Sequence, residues 1–303
     1  SVCLFGGVPI PPQLNALKEK PLVVVGTPGR LVDIMERGSI SLGNAAYVVL
    51  DEADRMLDMG FEPQIKKVFE SVPAKRQTLL FSATWPKSVR KLAAAFLRDG
   101  STTQLFVGAG ADAELEANTA VTQTFVWATD DEKDKKLYDF LCTLAEKPNA
   151  RVVVFANTKR RVDYLCKFFY NEGFGTCSIH GDKQQRERDE ALGQFVRHEA
   201  PIMFATDVAA RGLDIKGVTH VVNFDMARDV ESYVHRIGRT GRAGELGESV
   251  TFWNPDYDKD CSPALVKIAK DAGQVVPDWL EKFEKTKASK AWKLENAVLP
   301  PVE

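Results

Sequence analysis

Short apolar runs alternate with stretches of helical spacing along the whole chain. The runs fall at Leu22–Val25, Tyr47–Leu50, Thr78–Phe81, Arg151–Phe155, Thr176–Ile179, Ile202–Ala205, Val218–Phe224 and Ser249–Phe252, and at four to seven residues each they suit strands rather than helices. A helix is predicted over 158–172, where Val162, Leu165, Phe168 and Phe169 share one face and Asn157 or Thr158 can cap the start. Strand and helix in alternation predict an α/β fold with parallel sheets covered by helices. After the third run comes Gly108-Ala109-Gly110-Ala111-Asp112-Ala113-Glu114, whose small and acidic residues read as linker. This gives a first domain over 1–109, a linker over 110–119, a second domain over 120–273 and a C-terminal extension over 274–303. From Lys282 onward the extension is polar and lysine-bearing, and it is predicted to be only partly ordered.

Composition narrows the function more by exclusion than by assignment. At 303 residues each domain is long enough to bury a core, and 44% apolar with 27% charged residues is neither fibrous nor disordered. The formal net charge of -2 supplies no basic field over the whole molecule, so any nucleic-acid contact must come from local clusters. Such clusters are Lys159-Arg160-Arg161, Arg186 with Arg188, Arg211, and Arg236 with Arg239 and Arg242. The five cysteines are scattered and never in C-x-x-C spacing, which favours neither a disulfide framework nor a zinc site and suits a reducing compartment. No run approaches a membrane span and Ser1–Phe5 has no signal-peptide character, so an intracellular protein, nuclear or cytoplasmic, without membrane contact is expected.

Candidate chemistry lies where the runs end. Asp51-Glu52-Ala53-Asp54 follows Tyr47–Leu50, and paired carboxylates at such a strand end suit Mg²⁺ binding and water activation in nucleotide hydrolysis. The phosphate cradle G-x-x-x-x-G-K-[ST] occurs nowhere in the 303 residues. Thr27-Pro28-Gly29-Arg30 can receive a phosphate at a helix N-terminus, although alone an ordinary cap is the simpler reading. Ser82-Ala83-Thr84 puts two hydroxyls at a strand end, either to cap the next helix or to bind across to another element. Thr206 to Asp214 gathers a hydroxyl, a guanidinium and carboxylates at one turn, for which a surface salt-bridged turn is the bland alternative. Tyr233 to Arg242 packs arginines and a histidine between glycines, and Arg239 and Arg242, three apart, can aim the same way at a phosphate.

Taken in order, these motifs resemble the DEAD-box RNA helicases, ATPases of two RecA-like domains, from about Gly6 to about Phe283. Gly6-Gly7 is similar to that family's GG element, Thr27 to Arg30 to motif Ib, Asp51 to Asp54 to motif II and Ser82 to Thr84 to motif III. Phe155 to Lys159 resembles motif IV, His180-Gly181-Asp182 with Gln185 and Arg188 the element after it, Thr206 to Asp214 motif V and His235 to Arg242 motif VI. The resemblance implies ATP and Mg²⁺ as cofactors, with Asp51 holding the metal through water and Glu52 orienting and deprotonating the attacking water. Asp54, Ser82, Thr84 and His235 would couple the nucleotide site to domain closure. Gly212 and Asp214 would touch the nucleotide, and Arg239 and Arg242 would stabilise charge on the phosphate. RNA would be held at its backbone by Gly7, Thr27, Arg30, Gly181 and Thr206 without base reading. Partner proteins would bind flanking tails, and the chain is expected to be monomeric.

One departure from the family qualifies this. The Q motif and P-loop expected upstream of the GG element are missing, and Ser1 is not an initiator methionine, so the chain is expected to be a piece of a longer protein. The first RecA-like domain is then incomplete at its N-terminus, Thr78–Phe81 loses a strand partner, and an exposed apolar edge with poor solubility follows. The second domain, from about Thr119 to Gly273, is expected to fold alone. Two functions stay open: an ATP-dependent RNA helicase as part of the longer protein, or an ATP-independent RNA-binding or partner-binding fragment.

Overall fold

In a parallel sheet the strand buried on both faces needs an unbroken apolar run, while a strand at the edge can alternate. The computed structural model describes residues 1–85, 87–98, 100–105, 117–207, 215–242, 244–289 and 292, and within them the chain divides into two units, Ser1–Ala113 and Glu114–Glu295.

The second unit holds a six-stranded parallel sheet. Its elements are β5 (Val121–Trp127), α6 (Asp130–Leu144), β6 (Val152–Phe155), α7 (Lys159–Asn171), β7 (Thr176–Ile179), α8 (Gln185–Val196), β8 (Ile202–Ala205), β9 (His220–Asn223), α9 (Val230–Ile237), β10 (Gly247–Trp253), α10 (Ser262–Asp271) and α11 (Asp278–Glu281). The strand order is β5-β10-β9-β6-β8-β7. Central β6, all buried, sends Val152 and Val154 into the core beneath α6 and α7 and Val153 and Phe155 into the core beneath α8. Edge strand β5 alternates instead, with Val121, Gln123 and Phe125 buried and Thr122 and Thr124 exposed. That polar alternation hid β5 from the apolar-run reading. Helix α7 matches its expected span, and Thr158 Oγ1 caps it by accepting from Arg161 N at 3.1 Å.

The expected boundary at 273 is corrected by packing. Trp279 and Phe283 lie 5.3 and 5.0 Å from the ring of fully buried Trp253, and Leu280 and Trp292 join the same core. The segment after Gly273 therefore belongs to the second unit at least as far as Trp292. Each large apolar side chain so buried contributes on the order of 1.5–3 kcal/mol, enough to override a polar, lysine-bearing sequence.

The first unit comprises β1 (Val2–Leu4), α1 (Ile10–Lys18), β2 (Val24–Gly26), α2 (Pro28–Glu36), β3 (Tyr47–Leu50), α3 (Ala53–Asp58), α4 (Glu62–Ser71), β4 (Gln77–Leu80) and α5 (Lys87–Phe96). Its strands form two separate parallel pairs, β1 with β2 and β3 with β4. The apolar exposure expected at the third run spreads more widely: Val23, Val25, Tyr47, Val49 and Phe81 are each 48–57% exposed. Leu22, expected inside the first run, is fully exposed and precedes β2. No described helix is long and apolar enough to cross a membrane.

Candidate nucleotide and RNA site

In the first unit the turns after β3 and β4 are laced together. Phe81 N donates to Leu50 O at 2.8 Å, and Ala53 N donates to Phe81 O at 3.0 Å. This backbone exchange brings the acidic turn and the two hydroxyls into contact. Asp54, 5% exposed, accepts at Oδ2 from Thr84 N (3.0 Å) and Thr84 Oγ1 (2.8 Å), and at Oδ1 from Arg55 N (2.8 Å). Ser82 Oγ accepts from Asp54 N at 3.3 Å and donates to Thr84 O at 2.7 Å. Of the two roles open to these hydroxyls, binding across to another element is the one observed. A buried carboxylate saturated in this way is held in one orientation.

Asp51 and Glu52 are different, because both are exposed. Glu52 N donates to Asp51 Oδ1 at 3.0 Å, and Glu52 sits in the left-handed region at φ 50°, ψ 53° at the start of α3. A non-glycine residue held there costs on the order of 1–3 kcal/mol, and such strain gathers at functional sites. Residue types alone carry no sign of this strain. Asp51 and Glu52 thus form the open end of a turn whose other end, Asp54, is locked.

Gly7, Thr27 and Arg30 also meet. Gly7 turns the chain after β1 at φ 80°, and Thr27 N donates to Leu4 O at 2.9 Å, setting the exposed start of α2 beside that turn. Thr27 makes no side-chain cap and the first turn of α2 carries no acid, so its N-terminal amides keep their positive character. Arg30 departs from the expected outward phosphate contact. Its side chain is only 11% exposed, with Nη2 donating to Val8 O at 3.1 Å and Nε 3.9 Å from Asp33, so it braces the glycine turn from within.

In the second unit Gly181 and Thr206 follow neighbouring strands β7 and β8, and Thr206 N donates to Ile179 O at 3.2 Å. Gly181 is exposed and its carbonyl accepts from Arg188 Nη2 at 2.9 Å, while His180 Nε2 lies 2.8 Å from Asp163 Oδ1. Thr206 is 8% exposed. Gly212 and Asp214 lie outside the described residues, as does Arg211.

The three arginines of the α9 region take unequal places. Arg239 and Arg242 are half-buried and each is anchored through Nε to the carbonyl four residues earlier, His235 O at 3.1 Å and Gly238 O at 2.7 Å. Gly241, at φ 67°, makes the turn between them, and a Cβ there would stand 2.6 Å from the Val121 side chain. His235 is half-buried on the same helix. Arg236, grouped by sequence with the basic surface clusters, is instead 2% exposed. It forks onto Asp207 (Nε–Oδ1 2.6 Å, Nη2–Oδ2 2.8 Å) and donates to Asn157 Oδ1 (2.7 Å) and Asp225 O (2.6 Å). Its place beside Tyr233 and Ile237 on the buried face of α9 was the available signal. Two members of the Lys159-Arg160-Arg161 cluster are held in ion pairs within the second unit. Lys159 pairs with Asp182, and Arg161 pairs with Asp134 at 2.5 Å while stacking on Phe224 and Tyr164.

Among the described residues, no group of three or more His, Cys, Asp or Glu is placed to hold a metal ion by itself. A thiol nucleophile is also disfavoured where cysteines are buried, since burial pushes the Cys177 thiol up to about 12.

Comparison with known proteins agrees with this geometry. A family model for the DEAD/DEAH box helicase matches residues 1–92, and one for the helicase conserved C-terminal domain matches residues 132–244. The chain is 45% identical over 285 residues to ATP-dependent RNA helicase DBP2 of Saccharomyces cerevisiae, covering 94% of this chain and 51% of that protein. It is 49% identical over 275 residues to DEAD-box ATP-dependent RNA helicase 14 of Arabidopsis thaliana, covering 91% and 43%. The chain thus spans about half the length of the curated relatives it matches. Among solved structures, S. cerevisiae Dbp5 bound to RNA and ADP BeF3 is similar with a TM-score of 0.73 at 27% identity, covering 94% of this chain and 74% of that one. With an acidic turn wired to β4 in the first unit and an arginine-bearing α9 in the second, each inside its matching model, the chain belongs to the DEAD-box helicase family.

Proposed function

We propose that this chain is part of an ATP-dependent RNA helicase, in which ATP hydrolysis drives clamping and local strand separation of RNA. The observation that carries the reading is the Asp54–Thr84–Ser82 linkage beside exposed Asp51 and Glu52, an open acidic pair mounted on a locked support. Exposed hard-oxygen donors at a strand end fit Mg²⁺, which is usually held by one or two carboxylates together with substrate phosphates. Asp51 would hold the ion through water, and the bound ion would supply charge neutralisation at the phosphates. Glu52 orients and takes the proton of the attacking water. Arg239 and Arg242 place positive charge for the transferring phosphate, with Gly212 and Asp214 at the nucleotide. Asp54, Ser82, Thr84 and His235 report the state of the site. RNA lies along Gly7, Thr27, Gly181 and Thr206, with Arg30 shaping the Gly7 turn, so contacts go to the RNA backbone and binding weakens with salt.

A second reading is favoured by one specific observation, the absence of G-x-x-x-x-G-K-[ST] from all 303 residues. In that reading the chain binds RNA or a partner protein without ATP.

RNA-stimulated ATP hydrolysis separates the two, measured on this chain and on the chain joined to a P-loop-bearing segment of its family. The helicase reading expects turnover in the joined protein, lost by about 10²–10⁴-fold on Glu52→Gln. An inactive joined protein that still binds RNA would favour the second reading.

A further inference from the structure

Lys133 is an unusual place for a charge. It lies in the first turns of α6 yet is 4% exposed, with Nζ 3.3 Å from Asp130 Oδ1, 3.4 Å from Asp225 Oδ1 and 5.6 Å above the Phe224 ring. A lysine on a solvent-facing helix would reach water, and a core position would ordinarily take an apolar residue. Burying the ammonium is costly unless carboxylates offset it.

What the lysine holds leads directly to the arginine hub. Asp225 turns Oδ1 to Lys133 and Oδ2 to Asn157 N at 2.9 Å, and its own carbonyl accepts from Arg236 Nη1 at 2.6 Å. Asn157, fixed further through Nδ2 to Met226 O at 2.8 Å, presents Oδ1 to Arg236 Nη2 at 2.7 Å. Arg236 then forks onto Asp207, one residue after Thr206. On the outer side, Asn254 Nδ2 donates to Asp130 Oδ1 at 3.0 Å and ties the start of α6 to the end of β10. A continuous polar chain therefore runs from α6 along the strand ends to Asp207.

We propose that Lys133 is a positioning residue for the Arg236–Asp207 fork, acting through Asp225 and Asn157, and so for Thr206 beside Asp207. The functional part rests on the RNA-coupled reading above; the geometric part does not. Remove the ammonium and Asp225, whose side chain is 24% exposed, is left without its cation. The carboxylate is then drawn outward to water, which withdraws the acceptor that fixes Asn157. Arg236 loses one of its four anchoring partners, Asp207, Asn157, Asn223 and the Asp225 carbonyl, and the fork loosens.

The direct readout is hydrogen exchange of the Arg236 Nε–H, followed by ¹⁵N NMR on the full chain. Lys133→Met keeps the length and apolar stem, and is expected to speed that exchange at least about tenfold, because exchange follows local opening. Lys133→Arg restores a cation and is expected to return exchange to within about threefold of the parent. In parallel, affinity for a fluorescein-labelled oligouridine is expected to fall about 2- to 30-fold in Lys133→Met and to recover in Lys133→Arg, the range typical of residues along coupled networks. Unchanged Arg236 exchange in Lys133→Met overturns the proposal, as does failure of Lys133→Arg to rescue. If Lys133→Met does not fold, Asp225→Ala, which removes the acceptor of Asn157 N, takes its place with the same expected exchange. Failure of both to fold identifies a purely structural pair and equally overturns the positioning role. A parent chain that does not bind oligouridine counts against the RNA reading alone, since the exchange measurement stands without it.

Discussion

The two units follow one α/β plan and differ in how their strands are partnered. In the second, six strands form one sheet, β6 is buried on both faces, and apolar helices close over them. In the first, four strands form two separate pairs, and β3 buries only Leu50 fully while Tyr47 and Val49 remain open. The apolar runs look alike in sequence, so run composition says that a strand forms but not what covers it. The sites differ in parallel: the second unit buries its arginine hub, whereas the first exposes its acidic pair on a single buried carboxylate. Stability and function are thus distributed unevenly, and each half of that contrast can be tested.

The largest contrast is expected on separating the units. Glu114–Glu295 alone should unfold in one cooperative transition by circular dichroism, because its core clusters lie within it. Ser1–Ala113 alone should bind a hydrophobic dye and self-associate in sedimentation, since its half-open strands present edges and apolar faces. A soluble, dye-silent first unit would erase the distinction.

Within the second unit, Arg236→Met should cost about 3–5 kcal/mol in urea denaturation, the range for removing one partner of a buried ion pair. Asp207, Asn157 Oδ1 and the Asp225 carbonyl would all lose their donor. A cost under about 1 kcal/mol would match a surface salt bridge and sink the buried-hub account.

Asp258 sharpens the same unit through pH. Burial pushes its carboxyl up to about 6, against the Asn254 N–H that donates to it at 2.7 Å and the Lys133 charge, which pull it down. The folded carboxyl thus holds its proton more tightly than the unfolded one. Its favourable contribution is complete below about pH 4 and is lost as pH rises through about 6. Asp258→Asn, neutral throughout and still offering an acceptor to Asn254 N, should flatten that fall and gain about 2 kcal/mol at pH 7. Parallel stability curves for parent and variant between pH 4 and 7 would contradict the shift.

Legibility from sequence followed the same division. Central strands such as β6 are legible because burial on both faces demands an unbroken apolar run, whereas edge strand β5 alternates and offers no such run. The acidic turn, the paired hydroxyls and the arginine-rich helix could be read as local residue types at strand ends. What could not be read was orientation. Arg236, Arg161 and Arg30 look like surface cations in a string of letters, but tertiary packing turns them onto Asp207, Asp134 and the Val8 carbonyl. The docking of Trp279, Phe283 and Trp292 onto Trp253 and Tyr233 is likewise set by tertiary packing, which the order of residues does not display.

The smallest effect concerns Glu52 and, like that of Asp258→Asn, is a gain in stability. Its left-handed backbone, φ 50° and ψ 53°, suits glycine better than glutamate, so Glu52→Gly should relieve strain in the first unit. The gain is about 0.5–1 kcal/mol, because glycine's extra unfolded-state entropy offsets part of the relief. The same change removes the proposed base and should abolish RNA-stimulated hydrolysis in the P-loop-joined protein. Glu52→Ala separates the two contributions: it loses the carboxylate but keeps a Cβ in the left-handed region, so it should lose activity without gaining stability. If both variants stabilised the unit equally, the cost would lie in the exposed carboxylate beside Asp51 rather than in the backbone, and the strained turn would have no part in holding the site open.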